Sequence, residues 1–272
     1  VSVTSTSSNS SYKAGGEVNI TVAFSEPVTV VTTGGVPRLL LETGSEDTYA
    51  TYSSGTGDSV LTFTYTVVTG NESGDLDYKD NSSLSVNGGT MKDSAGNDAN
   101  LSLPEPGSTG SLGKNKAIVI DAVAPSISVL SPSDDGQSLL VETDLMMTFS
   151  ENIVKGDGNL TIYKTSDNAV VQTLDASGSD VTVSDNKATF DINDLDGITG
   201  YYIQVDGGSF QDGVGNNYAG ISGTTSWNFT TADTSAPKVS ITSSLNAYTN
   251  ISPIPLTITF AENVTGFDSS EV

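Results

Sequence analysis

Carboxylates are the side chains of this sequence best equipped for chemistry, and three short motifs bring them back in a fixed order. The first sets a glutamate just beyond an alternating apolar run: Phe24-Ser25-Glu26-Pro27-Val28, Phe149-Ser150-Glu151-Asn152-Ile153 and Phe260-Ala261-Glu262-Asn263-Val264. The second is Asp-x-x-Gly-Asn, running from Asp93 to Asn97 and again from Asp212 to Asn216. The third is Asp-x-x-Ala-Pro, opening at Asp121 and at Asp233. Carboxylates and carboxamides together offer two chemistries. One is acid–base work by a carboxylate pair, for which Glu17, Glu42 and Glu46 could be considered; it needs a cleft and a raised pKa, which a small β-domain seldom supplies. The other is ligation of a hard cation by oxygen atoms alone.

Composition narrows the choice. The 272 residues include no His and no Cys. Without His there is no Ser-His-Asp triad, no imidazole ligand and no side chain that titrates near neutrality unaided. Without Cys there are no disulfides, thiolate nucleophiles or thiolate metal sites. The chain is not expected to be an enzyme. Thirty-three Asp and Glu against ten Lys and Arg leave a net charge of −23. Such a chain repels phosphate, so nucleic acid is not expected as a partner, and an anionic membrane surface is disfavoured on the same ground. No run approaches the ~18 apolar residues of a membrane helix, so no membrane insertion is expected in this segment. The opening Val1-Ser2-Val3-Thr4 has no signal-peptide pattern and reads as a piece of a larger protein.

The elements that must position these acids are strands. Apolar residues take every second place in Val18-Asn19-Ile20-Thr21-Val22, at Leu61, Phe63, Tyr65 and Val67, at Leu145, Met147 and Phe149, and at Tyr201, Ile203 and Val205. That period of two lays one face of each strand on a core. Trp227 and Phe229 flank Asn228 in the same manner, which predicts a core tryptophan. Clusters of Gly, Asn, Asp and Ser separate the runs and supply turns. No ten-residue stretch keeps a 3.6 period, so the chain is predicted to be all-β, built as antiparallel sandwiches. The motifs return at intervals of about 110–125 residues, the size of one sandwich domain. They divide the chain into 1–121, 122–233 and a truncated third copy, 234–272. That last stretch holds only the first two strands of a domain and is predicted to be the least well packed, because an isolated hairpin is marginal in water.

The motifs and their order resemble the bacterial Ig-like domains of large surface proteins. Residues 126–233 are most similar to the Ig-like type known from S-layer proteins, and residues 1–125 resemble a related module of such arrays. The third copy, with Thr249-Asn250-Ile251-Ser252-Pro253-Ile254-Pro255, resembles a type found in long tandem arrays. The resemblance implies an extracellular or cell-surface stalk, its partners the neighbouring Ig-like domains of the same chain. Its alternatives are an adhesive module for a glycan or protein, and an accessory part of a secreted polysaccharide-degrading enzyme.

Ig topology gathers the loop after the second strand, the loop before the last strand and the entry to the first strand at one end. Asp121, Glu151, Asp212 and Asn216 are therefore expected to converge at the junction of the first two domains. The same order pairs Asp233 with Glu262 at the next junction. The first domain keeps Glu26, Asp93 and Asn97, with the linker Asp falling before Val1. At ~4 Å two like charges cost about 4 kcal/mol at an effective dielectric near 20. Calcium is the expected cofactor, held with the roughly 10⁻⁴–10⁻³ M affinity of extracellular modules. The same motifs also read as turns: Asp closes an Asx-turn, Gly takes positive φ, and Pro stiffens a linker.

Overall fold

The computed structural model describes residues 1–245 and 250–268. Thr249 of the third-repeat signature and residues 269–272 of the third copy lie outside the described residues. In the first unit the strands are β1 Ser2–Ser5, β2 Ser11–Tyr12, β3 Glu17–Val31, β4 Arg38–Leu41, β5 Thr48–Ser54, β6 Asp58–Thr66, β7 Glu72–Ser73, β8 Leu84–Ser85 and β9 Thr90–Lys92. One helical turn, α1 Leu112–Asn115, precedes β10 Val119–Asp121. Ser111 caps α1 by accepting the Lys114 N–H on its hydroxyl. This turn is the one departure from an all-β chain among the described residues.

The alternation seen in the sequence becomes a core. Val18, Ile20 and Val22 on β3 and Leu61, Phe63 and Tyr65 on β6 are all fully buried. The two strands pair antiparallel with Ile20 opposite Phe63 and Val22 opposite Leu61. Each such side chain contributes roughly 1.5–3 kcal/mol by leaving water. The sheet arrangement differs from two separate layers. β1-β3-β6-β5-β4-β8 form one continuous sheet, with β9 added to β3. β5 pairs with both β6 and β4, and its register breaks between Tyr52 and Ser54. A break of that kind bends a strand and lets one sheet turn from one face of the core to the other. A smaller sheet, β2-β10-β7, brings the end of the unit back beside its start.

The second unit is a two-sheet sandwich. Its strands are β11 Ile127–Ser131, β12 Gly136–Leu139, β13 Leu145–Phe149, β14 Val154–Lys155, β15 Asn159–Lys164, β16 Val170–Asp175, β17 Val181–Ser184, β18 Lys187–Phe190, β19 Gly200–Val205, β20 Phe210–Gln211 and β21 Asn228–Thr231. One sheet runs β11-β13-β18-β17 and the other β12-β21-β19-β15-β16, with β12 parallel to β21. Leu145, Met147 and Phe149 from the first face Tyr201, Ile203 and Phe229 from the second in one buried cluster. Trp227 lies just ahead of β21, fully buried in that cluster.

The last strands, β22 Val239–Thr242 and β23 Thr257–Phe260, pair antiparallel and stand apart from both cores. In the other units the strand matching β23 is flanked on both sides: β3 by β1 and β6, β13 by β11 and β18. Among the described residues β23 has β22 alone, and Val239 and Ile241 remain more than half exposed.

Candidate metal centre

A two-residue pairing brings the second unit's acids together. After β13 the chain runs through Glu151 into β14, which pairs with β20: Val154 opposite Gln211 and Lys155 opposite Phe210. Glu151 comes three residues before Val154, and Asp212 directly follows Gln211, so this pairing sets them side by side. Asp212 then frames its own loop. Its Oδ1 accepts the backbone N–H groups of Val214, Gly215 and Asn216 at 2.9, 2.7 and 2.8 Å. Gly215 has φ +89°, a left-handed conformation that favours glycine. The Asn216 carboxamide donates to Asp212 Oδ2 at 2.7 Å and to the Asp121 carbonyl at 2.9 Å, which staples the linker to the loop.

Asp121 arrives from the other unit. It is the last residue of β10 and lies opposite Glu72 of β7. One carboxylate oxygen each from Asp121, Glu151 and Asp212 lie within 4.8 Å of one another. Asp212 is 2% exposed, and the other two are partly buried. Loss of water raises the Asp121 carboxyl above the ordinary range; the Asp212 charge and then Glu72 add to this, against a Val123 N–H that lowers it. Glu151 is raised by burial first, then by Asp212 and Asp121. No basic side chain relieves them: the ion pairs among the described residues are Lys79 with Glu42 and Asp47, Lys92 with Asp98, and Lys164 with Asp196. Lys13 reaches the same loop across the junction, but it donates to the Gly215 carbonyl at 2.9 Å.

The donor set is all oxygen. Ca²⁺ binds oxygens at about 2.3–2.6 Å, so ligands on opposite sides of one ion stand up to about 5 Å apart. The 4.8 Å grouping fits that span. Mg²⁺, with bonds near 2.0–2.1 Å, would require the carboxylates to close in further. A cleft of about 680 Å³ opens beside the group, lined by Glu42, Glu72 and Ser150 among others, and gives solvent access to Asp121 and Glu151.

The first unit repeats the frame. β9 pairs with the far half of β3, Thr29 opposite Lys92, which places Glu26 near Asp93. Asp93 Oδ1 accepts from Ala95 and Asn97 N–H at 2.8 Å each, and Asn97 Nδ2 donates to Asp93 Oδ2 at 2.7 Å. The Asn97 bonds hold the Asp93 carboxyl below its ordinary range. Glu26, Asp93 and Asn97 line one pocket of about 390 Å³ beside Val1. They do not form a three-acid group; among the described residues only Asp121, Glu151 and Asp212 do. Glu26 also differs from its expected place. It lies inside β3, at the register break between Ala23 and Val28, because the chain resumes pairing instead of leaving the sheet. At the next junction the Asp233 and Glu262 side chains meet, and their hydrogen-bonding contact raises the Glu262 carboxyl.

Motif reading missed Glu72, which faces Asp121 from a two-residue strand too short to show a period. It also missed Lys13, 202 residues from the carbonyl it reaches.

The raised carboxyls set a direction for pH. A carboxyl whose folded value exceeds its unfolded value binds more protons in the folded state between the two, so its stabilising effect grows as pH falls. Metal-free protein should therefore keep this contribution below the ordinary carboxylate range, about 4, and lose it as pH rises through the raised folded values of Asp121 and Glu151. Glu151→Gln removes one of the repelling charges. In EDTA, the gap between variant and parent midpoints for the second unit should widen with pH, the variant being the more stable at the alkaline end. A gap independent of pH, read by calorimetry across that range, contradicts it.

A family model described as bacterial Ig-like domain matches residues 121–231. No curated protein matches the chain. Similar solved structures include titin A168169, 12% identical over 86% of this chain and 100% of that one, with a TM-score of 0.24. Fibronectin(III)-like modules of Clostridium thermocellum CbhA are 12% identical over 84% of this chain and 93% of theirs, with a TM-score of 0.20. The full ectodomain of mouse nectin-like molecule 4 is 10% identical over 86% of this chain and 65% of its own, with a TM-score of 0.27. The fold assignment rests on the strand order and the family match. Residues 121–231, which carry the two-sheet sandwich and the Asp212 loop at its near pole, are the part of the chain that matches the bacterial Ig-like domain family.

Proposed function

We propose that this chain is a spacer segment of a large bacterial surface or secreted protein, in which calcium at the Asp121–Glu151–Asp212 group stiffens the joint between successive Ig-like units. The Ig-like family is typical of bacterial surface proteins and compatible with a structural or adhesive module. One observation carries the reading: a carboxylate at the end of the first unit's last strand stands within 4.8 Å of two carboxylates from loops of the second. Without a cation, three like charges push the linker off the loop that Asn216 holds. A bound cation turns the same charges into three tethers across the joint. The high negative charge keeps such a rod soluble and apart from its neighbours. No helix among the described residues is long and apolar enough to cross a membrane.

The test is the distance between the units. With one spin label on each unit, calcium should narrow the distance distribution and EDTA should broaden it. Asp121→Asn should stay broad in either condition. A distribution that calcium leaves unchanged ends the stiffening role, even if calcium binds.

A further inference from the structure

We propose that the outer face of the first unit's large sheet carries a binding site for a carboxylate-bearing sugar, centred on Arg38. The site lies apart from the calcium joint and does not depend on it. Leu39 and Leu41 of β4 point into the core and are fully buried, so Arg38 and Leu40 face outward. Tyr49 lies opposite Leu40 on β5, and Ser85 lies opposite Arg38 on β8. The Arg38 guanidinium sits 3.9 Å from the centre of the Tyr49 ring, a cation–π contact that fixes its plane.

This guanidinium lacks what arginines in proteins ordinarily have. Its Nε is closed off from solvent and donates to no atom among the described residues. Arg38 is the only arginine in a chain with 33 carboxylates, yet it appears in none of the ion pairs among the described residues. The acid in the same pocket, Asp80, is held toward its own loop: its Oδ1 accepts the Ser82 N–H at 2.8 Å and the Ser82 hydroxyl at 2.7 Å. With Nε closed off, the two terminal Nη groups of this pre-oriented guanidinium, which lines the pocket, match a carboxylate end-on, one N–H bond from each. The remaining features select what carries that carboxylate. The pocket is about 190 Å³, room for one sugar-sized ring. Leu40 and Tyr49 present C–H surface, while Ser82 and Ser85 present hydroxyls. Asp80 at the rim and the net charge of −23 oppose a dianion such as a phosphate monoester more strongly than a single carboxylate.

A single arginine means a single arginine Nε–Hε signal in a ¹⁵N-edited proton spectrum, so the site reports on itself without assignment. Glucuronate, glucose and acetate are titrated separately at physiological salt. Glucuronate should move that signal saturably in the millimolar range, with glucose leaving it in place and acetate far weaker. Arg38→Lys keeps the charge and loses the fork; followed through backbone amides of β4 and β5, it should lose the glucuronate response while its far-UV circular dichroism stays unchanged. Equal responses to acetate and glucuronate would overturn the sugar assignment. A glucose response equal to that of glucuronate would overturn the carboxylate assignment, and no saturable shift would remove the site altogether.

Discussion

Millimolar calcium added to EDTA-treated protein should raise the unfolding midpoint of the second unit by about 6–22 °C. Extracellular oxygen sites bind with dissociation constants of roughly 10⁻⁴–10⁻³ M. At about 10 mM free ion that is ten to a hundred times the dissociation constant, worth about 1.4–2.7 kcal/mol of stabilisation by mass action. One kcal/mol moves the midpoint of a domain of about 100 residues by roughly 4–8 °C. Two variants separate the ion from the scaffold. Asp121→Asn removes a ligand from the far side of the joint and should abolish the response while leaving the metal-free midpoint equal or slightly higher. Asp212→Ala should lower the metal-free midpoint as well, because Asp212 Oδ1 holds three backbone N–H groups of its loop. Calorimetry with and without calcium decides it. A response that survives in Asp121→Asn would mean that the ion sits elsewhere in this acidic chain.

Trp227→Ala should abolish cooperative folding of the second unit or come close to it. Trp227 is completely buried, and its indole N–H donates to the Pro132 carbonyl at 2.8 Å. Cutting a buried Trp to Ala costs about 3–5 kcal/mol through lost transfer energy and the cavity left behind. The orphaned carbonyl adds about 1–3 kcal/mol. That sum rivals the whole stability of an ordinary domain, roughly 5–15 kcal/mol. Trp227→Phe refills part of the space without the hydrogen bond and should cost less than half as much. The variant removes the chain's single tryptophan, so circular dichroism or calorimetry must replace fluorescence. Two transitions are expected because the two cores share no cluster, and the first unit's should stay where it was. A loss below about 1 kcal/mol would contradict the role of Trp227 as a core anchor.

Side chains that alternate along long strands could be read directly. Leu61, Phe63 and Tyr65, like Leu145, Met147 and Phe149, are buried as their period of two requires. The candidate site was half legible. The repeated motifs marked Glu151, Asp212 and Asn216, and the Asp212 loop closes on itself through bonds within five residues, which local sequence encodes. Their meeting with Asp121 needed a topology, supplied by a resemblance. β14, β20 and β7, two residues each, are too short to carry a pattern, yet they align Glu151 with Asp212 and Glu72 with Asp121.

Taken alone, the order of residues determined strand character, the repeat and the exclusion of imidazole and thiol chemistry, because these depend on neighbours along the chain or on composition. Folding in three dimensions decided that the first unit wraps one continuous sheet around its core. It also decided that Lys13 donates to a carbonyl 202 residues away and that Arg38 lies on Tyr49 with no ion-pair partner among the described residues. Those outcomes are set by which strand edges pair and how far the strands bend, quantities that arise from packing between distant segments and leave no mark on any short stretch of sequence.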